Sequence, residues 1–368
     1  MTTARDLMNY LEGYFPLNLA AEWDNSGLQF GHPDKKVHKV LLALDVSAEV
    51  VSMALSARVD MIITHHPFIF SGIKNIDFSQ PFGSVIAQLI QADVVLYAAH
   101  TNLDRGAEGL NQHLAERLGL QHITLLDNDF QEKNYKVVTY VPPVHADTVR
   151  NAMMAAGAGF IGSYSDCSFM SKGVGTFKPL SGTHPYIGSV NRLEKTEEVR
   201  LETIVPAELL QQVVEQIKVV HPYEEAAYDV FSLTMPANYY SFGRVGVLET
   251  GLSLQELAVQ VKQKLQLSHV RVIGALQGRV HKVATVSGSG ASFISKAASS
   301  GAEVLVTGDL KYHEAQEAER RGLCVIDAGH QGTEHIAVDL LYDFFRRNGQ
   351  FTSAEFFKFA ASDLMQIL

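Results

Sequence analysis

A chain of 368 residues, 46% of them hydrophobic and with a formal charge of −10, is long enough for two or three domains and too apolar to be disordered. The acidic balance, with no block of Lys and Arg, excludes general nucleic-acid binding, and no apolar run nears the roughly 18 residues that span a bilayer. With only Cys167 and Cys324, neither a disulfide framework nor a thiolate metal site can be built, so the 15 histidines direct any metal towards nitrogen and oxygen ligands.

The chain opens MTTARDLMNYLEGYFPLNLAAEW, which lacks the charged-then-apolar layout of a signal peptide, and a cytoplasmic address is expected. The following EWDNSGLQ (Glu22 to Gln29) holds the single Trp. Its Asp24 and Asn25 suit either a polar substrate pocket or an Asx-type turn closed by Gly27. Three strand-then-loop units come next: VLLALD (Val40 to Asp45), VDMIITHHPFIF (Val59 to Phe70) and VVLYAAHTNLD (Val94 to Asp104). Helical patterns such as SVIAQLIQA (Ser84 to Ala92) separate them, which predicts βα units feeding a largely parallel sheet. Pro67 lacks a backbone donor and ends the second strand. His65 and His66 therefore fall on the loop past its carboxyl end, where ligands collect in open α/β sheets.

From about Asn134 to Pro236 the pattern changes. YKVVTYVPP, HADTVRNAMMAAG, the Gly- and Ser-rich SYSDCSFMSKGVGTFKPLSGTHPYIGS, EVRLETIVP, AELLQQVVEQIKVV and AAYDVFSL read as strand, helix, strand, strand, helix, strand, the ferredoxin-like order. HPYEE (His221 to Glu225) reads as a Pro-stopped turn with solvated glutamates in preference to a ligand site. Beyond Pro236 the βα cadence returns in KVATVSGSG (Lys282 to Gly290), AEVLVTGDLKYHEA (Ala302 to Ala315) and LCVIDAGHQGTEH (Leu323 to His335). The expected organisation is an α/β body of two related lobes, 1–130 and 237–368, interrupted by an α+β insert at 131–236.

The third unit of each lobe ends alike: His100 stands four residues before Asp104, and His330 four before Glu334. With His65 and His66 they make a candidate metal set of His65, His66, Asp104, His330 and Glu334. His100 is either a further ligand or the partner that orients one. A single catalytic zinc takes three protein ligands, so this set suits two divalent ions sharing a carboxylate, with a bridging hydroxide between them. Zinc, iron, manganese and cobalt all suit such donors. Ser287 to Gly290 offers backbone N–H groups to a phosphate or is plain turn geometry. Asp309, Lys311 and His313 either face the cleft as substrate contacts or lie on a solvated helix start. Asp24, Ser289 and Lys311 are the substrate-contact candidates. No general base and no G-x-S-x-G elbow is discernible.

The strings EWDNSGLQFG, ITHHPFIF, AAHTNLD, GDLKYHEA and DAGHQGTEH, in this order around a ferredoxin-like insert, closely resemble the Nif-three-like proteins, also called GTP cyclohydrolase 1 type 2 homologues. GVGTFKP and HPYEEAAYD resemble the PII-like or CutA-like module of the longer bacterial members. The resemblance spans essentially the whole chain. It implies a toroidal homohexamer whose dinuclear metal site faces an inner cavity, with ligands at His65, His66, Asp104, His330 and Glu334. The expected function is metal-dependent hydrolysis of a small nucleotide-like or phosphate-bearing substrate, GTP ring opening being the named case. The alternative is a non-catalytic hexameric metal-binding scaffold whose insert senses a small molecule.

Overall fold

The computed structural model describes residues 1–234, 238–347 and 349–361. Pro236, where the sequence reading ends the insert, lies outside them. The chain divides into two compact units, one formed by Met1–Phe130 together with the chain from Tyr240 onward, the other by Gln131–Tyr239.

The larger unit is α/β and carries two sheets. In the first, the strands run in the order Gly27–Phe30, Val95–Ala98, Met61–Thr64, Lys39–Ala43, Glu355–Lys358. All pairings are parallel except that of the edge strand Gly27–Phe30. Every residue of Met61–Thr64 and Val95–Ala98 is buried, which is why these strands read as unbroken apolar runs without alternation. In the second sheet the order is Arg271–Ile273, Cys324–Asp327, Val304–Gly308, Arg279–Ser289, Arg244–Ser253, Gln121–Leu125, with a parallel centre. The expected βα units of both halves are thus present.

Each sheet also takes a strand from the other half of the chain. Gln121–Leu125 pairs with Arg244–Ser253, and the late strand Glu355–Lys358 pairs with Lys39–Ala43. This exchange ties the halves into one core, where Leu7, Leu11, Val40 and Ile63 cluster with Val304, Ile336, Leu341 and Phe345. The first helix, Ala4–Tyr14, starts at a capping box in which Thr3 and Asp6 satisfy each other's backbone N–H groups. Its Tyr10 packs on Phe344 of the helix Ile336–Arg346, ring centroids 4.9 Å apart.

The smaller unit has one antiparallel sheet, ordered Tyr228–Leu233, Asn134–Val141, Glu194–Pro206, Ser168–Phe177. Numbered along the chain that is fourth, first, third, second, the ferredoxin-like order. Helices Ala146–Ala155 and Leu210–Val220 bury Val149, Met153, Val213 and Ile217 against Val137, Val141, Leu201 and Val205 on one face of the sheet.

Candidate metal centre

The site lies in the larger unit, at the carboxyl ends of strands from both sheets. Beyond Thr64 the chain stays tied to its neighbour: the His65 N–H donates to the Ala43 carbonyl (3.2 Å) and that of His66 to the Leu44 carbonyl (2.9 Å). The Thr64 hydroxyl then donates to the His66 carbonyl at 2.8 Å, closing the turn before Pro67. Both rings come to the same side, with centroids 5.0 Å apart. The two His-x-x-x-carboxylate strings become single helical turns. Asp104 lies in the short helix Thr101–Arg105 that His100 caps, and His330 opens the helix that Glu334 ends. One turn of helix puts residues four apart on one face, and His330 Nε2 lies 3.0 Å from Glu334 Oε2.

Each of the four imidazoles is held from behind through Nδ1. His65 donates to the Ala99 carbonyl (2.8 Å), His66 to Asp45, His100 to Asp24 and His330 to Asp309, the last three at 2.7 Å. This fixes the tautomer and aims every Nε2 inward. His65, His66 and His100 offer nitrogens within 4.8 Å of one another, and the nitrogens of His66 and His330 lie equally close to each other and to a carboxylate oxygen of Glu334. Glu334 reaches both groups: Oε2 lies 2.8 Å from His66 and 3.0 Å from His330, whereas Oε1 lies 3.8 Å from His65. Asp104 Oδ1 is 3.6 Å from His65 Nε2.

His65 Nε2 is fully buried and has no hydrogen-bond partner. A lone imidazole nitrogen facing two carboxylates across 3.6 and 3.8 Å is too far for a hydrogen bond. Two metal–ligand bonds of about 2.1 Å at a tetrahedral angle span about 3.4 Å, so these gaps are of the size a cation fills. The donor set, imidazole with carboxylate, fits a borderline divalent ion.

The electrostatics agree with that fit. Burial opposes charge on His66, yet Asp45 and Glu334 outweigh it and lift its pKa to about 10. Glu334 and Asp309 lift His330 to about 9 against its own burial. His65 is raised as well, burial being overcome by Asp104 and Glu334. Glu334, though buried, is held well below the carboxylate range by His330, His65 and His66, whereas burial raises Asp104. The surroundings of the imidazole nitrogens thus favour positive charge.

All five residues of the expected set therefore come together, and His100 joins them. The substrate-contact candidates are placed differently. The Asp24 carboxylate has no exposed surface; it accepts from His100, Ser26, the Thr101 N–H and the Thr101 hydroxyl, and stands behind His100. Burial opposes its charge, but these donors hold its pKa far below the usual range. Ser289 is exposed at the end of its strand. Its neighbours' N–H groups are already engaged: Ser287 with Asn111, Gly288 with the Thr333 hydroxyl, Gly290 with the Thr307 hydroxyl. A phosphate cradle has no free donors at those three positions. Lys311 is exposed at the head of helix Tyr312–Arg320, and among the described residues no ion pair joins it to Asp104, Asp309 or Glu334.

Three contributors escaped the sequence reading. In the sequence Asp45 is only the end of a strand unit, and nothing adjacent to Asn111 or Ser287 points to the acids. Ser287 Oγ donates to Asp104 Oδ1 at 3.2 Å and accepts from Asn111 Nδ2 at 2.9 Å. Gly288, at φ +59°, lies so close that a Cβ there would sit 2.2 Å from Glu334 Oε1.

Residues 2–363 match the family Duf34/NIF3 (NGG1p interacting factor 3). The chain is 40% identical over 330 residues to a GTP cyclohydrolase 1 type 2 homolog of Halalkalibacterium halodurans, covering 90% of this chain and 89% of that protein. It is 41% identical over 326 residues to the Bacillus subtilis protein of the same name, with 89% and 87% covered. The solved structure of a Bacillus cereus protein related to NIF3 is similar over 100% of this chain and 99% of that one, with a TM-score of 0.78 and 38% identity. On these grounds, and with its histidine-lined centre in place, the chain belongs to the Duf34/NIF3 family.

Proposed function

We propose that the centre holds two divalent cations and that the protein is a metal-dependent hydrolase acting on a small nucleotide-like or phosphate-bearing substrate. His65, His66, His100, Asp104, His330 and Glu334 would hold them, Glu334 facing His66 and His330 with one oxygen and His65 with the other. The observation that carries this reading is the unpartnered, fully buried His65 Nε2, set opposite two carboxylates among imidazoles whose Nδ1 atoms are all held from outside. Such a pair of ions, when bound, supplies electrophilic polarisation of a substrate oxygen and lowers the pKa of water. The chain's own part is to fix the ligands: Asp24, Asp45 and Asp309 hold three of the rings, and Ser287 with Asn111 holds Asp104. The relatives' shared name, GTP cyclohydrolase 1 type 2 homolog, supports a purine nucleotide as the first substrate to try.

The test is elemental analysis of protein purified without added metal, followed by turnover assays with GTP and a panel of phosphoesters beside His66→Ala and Glu334→Ala. Wild type should carry close to two ions per chain, and both variants should lose ions and turnover together. Variants that keep both would remove the basis of the reading. In the same proposal the chain assembles as a homohexamer with the PII-like insert at 131–236 as a separate module, and light scattering should return the mass of six chains. No helix among the described residues is long and apolar enough to cross a membrane.

A further inference from the structure

The smaller unit contains a cavity of about 610 Å³, on the sheet face away from its two helices. That volume is in the range of small-molecule sites. The two strings that the metal centre does not use, GVGTFKP and HPYEE, both contribute to its wall. Its lining is mainly apolar, and the rings of Phe177, Tyr186 and Tyr223 stand together in it, with centroids 5.9 Å and 6.2 Å from Tyr223. Tyr186 and Tyr223 turn their hydroxyls onto fixed partners, His145 Nε2 and Glu198 Oε1, so that ring surface is what they offer.

Glu198 is the one charged residue on this lining that is buried, at 9% exposure. Its Oε1 accepts from the Tyr223 hydroxyl at 2.9 Å, and among the described residues its Oε2 has no hydrogen-bond partner. No cation neutralises it from within the sheet, because Arg200 and Lys136 both pair with Glu202 instead (2.7 and 3.6 Å). At the exposed rim, Lys172 and Lys178 offset Glu224 and Glu225. Two glycines keep the floor bare. A Cβ on Gly175 would meet Glu198 Oε2 at 2.0 Å, whereas one on Gly173 would meet nothing within 4 Å and would point into open space. A carboxylate on a largely buried residue, with one oxygen held by Tyr223 and the other open to the cavity, offers its free oxygen to a positive group, and the aromatic faces beside it favour the same kind of partner.

We propose that this cavity is a binding site for a small organic cation, with an ammonium group on Glu198 and an apolar or planar body against Phe177, Tyr186 and Tyr223. The site is separate from the metal centre and does not depend on the function proposed for it.

The experiment is titration calorimetry on the full-length chain with phenethylamine and benzyltrimethylammonium, and with 3-phenylpropionate as the anionic counterpart. At least one ammonium probe should bind with a Kd below about 1 mM and at least tenfold tighter than the anion. Glu198→Gln keeps an acceptor for Tyr223 but removes the charge, and should weaken binding at least tenfold. Gly173→Leu fills the floor at a position without left-handed backbone or close neighbours, and should abolish it. The proposal is overturned if neither ammonium saturates, if the anion binds equally well, or if both variants bind like wild type. It is also overturned if no probe binds while Gly173→Leu changes the mass seen by light scattering, because the face is then covered by a second copy of the chain.

Discussion

Replacing Gly288 by Ala tests whether the placement of Glu334 is what makes the centre. Two costs are expected. The backbone at φ +59° is left-handed, which for a residue with a Cβ costs about 1–2 kcal/mol. The new methyl would also sit 2.2 Å from Glu334 Oε1 and 3.1 Å from its Cδ, so the carboxylate must retreat by about an ångström. It cannot do so freely, since Oε2 lies 2.8 Å from His66 and 3.0 Å from His330 in a buried setting. Weakening those charge-assisted contacts adds to the strain, and the total should reach about 2–4 kcal/mol.

Gly322→Ala is the control. Gly322 is also left-handed, at φ +69°, but a Cβ there meets nothing within 4 Å. It should show the backbone cost alone, about 1–2 kcal/mol, and keep the ions. Urea unfolding gives the two stabilities, and elemental analysis after dialysis gives the metal content. Gly288→Ala should lose at least half of the bound metal with its far-ultraviolet spectrum unchanged. If it retains the wild-type ion content, Glu334 is not a ligand in the way argued and the dinuclear assignment falls with it.

Asp45→Asn and Asp309→Asn keep an acceptor for the ring Nδ1 but weaken its pull, and each should reduce ion affinity by about tenfold or more in a chelator competition; unchanged affinity would show that the outer aspartates are incidental. Asn111→Ala removes the partner of both the Ser287 N–H and its hydroxyl at a buried position, and should cost about 1–3 kcal/mol in urea unfolding, with ion release easier than in wild type. In the smaller unit, burial depresses the pKa of His221, whose Nε2–H donates to the Tyr140 carbonyl while Nδ1 accepts from the Tyr223 N–H. A group with a folded pKa below its unfolded value of about 6.5 stabilises the fold above that pH, and this contribution is lost as pH falls through the folded value. Protection factors in peptides 131–234, that is, hydrogen exchange corrected for the intrinsic pH dependence of amide exchange, should therefore fall between pH 7 and 5, and His221→Gln should flatten that slope.

How much of this was legible beforehand follows from how local each feature is. The paired histidines after a buried strand, and the two His-x-x-x-carboxylate strings, are features of a few adjacent residues, and their geometry is set by one strand end or one helical turn. The outer aspartates are not. Asp45 ends a strand unit, where a carboxylate reads as an ordinary loop residue, and Asp309 reads as a cleft contact or a solvated helix start; only tertiary pairing brings each to an imidazole. Asp24 is instructive because its Asx-like surroundings were legible, with Asn25 N–H and Ser26 both donating to it, but its main partner, His100, is 76 residues away. The strand exchange was illegible for a related reason. Gln121–Leu125 is short and mostly exposed, and neither its composition nor that of Glu355–Lys358 says which sheet each will join.

That exchange bears on the centre itself. Glu334 and His330 come from the half of the chain beyond the insert, and His65, His66, His100 and Asp104 from the half before it, so the ligand set is complete only when both halves are in register. Two sheets that each borrow a strand from the other half cannot shift relative to one another without breaking ladder hydrogen bonds at Lys39–Ala43 or Arg244–Ser253. The dense positive and negative groups at the centre would by themselves push the halves apart whenever a charge is unmatched, at a cost of several kcal/mol per buried ion. The reciprocal strands supply an opposing restraint that does not depend on the ions. Removing Glu355–Lys358 by truncation after Ala354, which keeps Phe351 in the core, should accordingly loosen the centre from a distance, lowering ion affinity without removing a ligand. A truncated chain that binds ions as tightly as the full one would show that the sheets hold their register through the helical core alone.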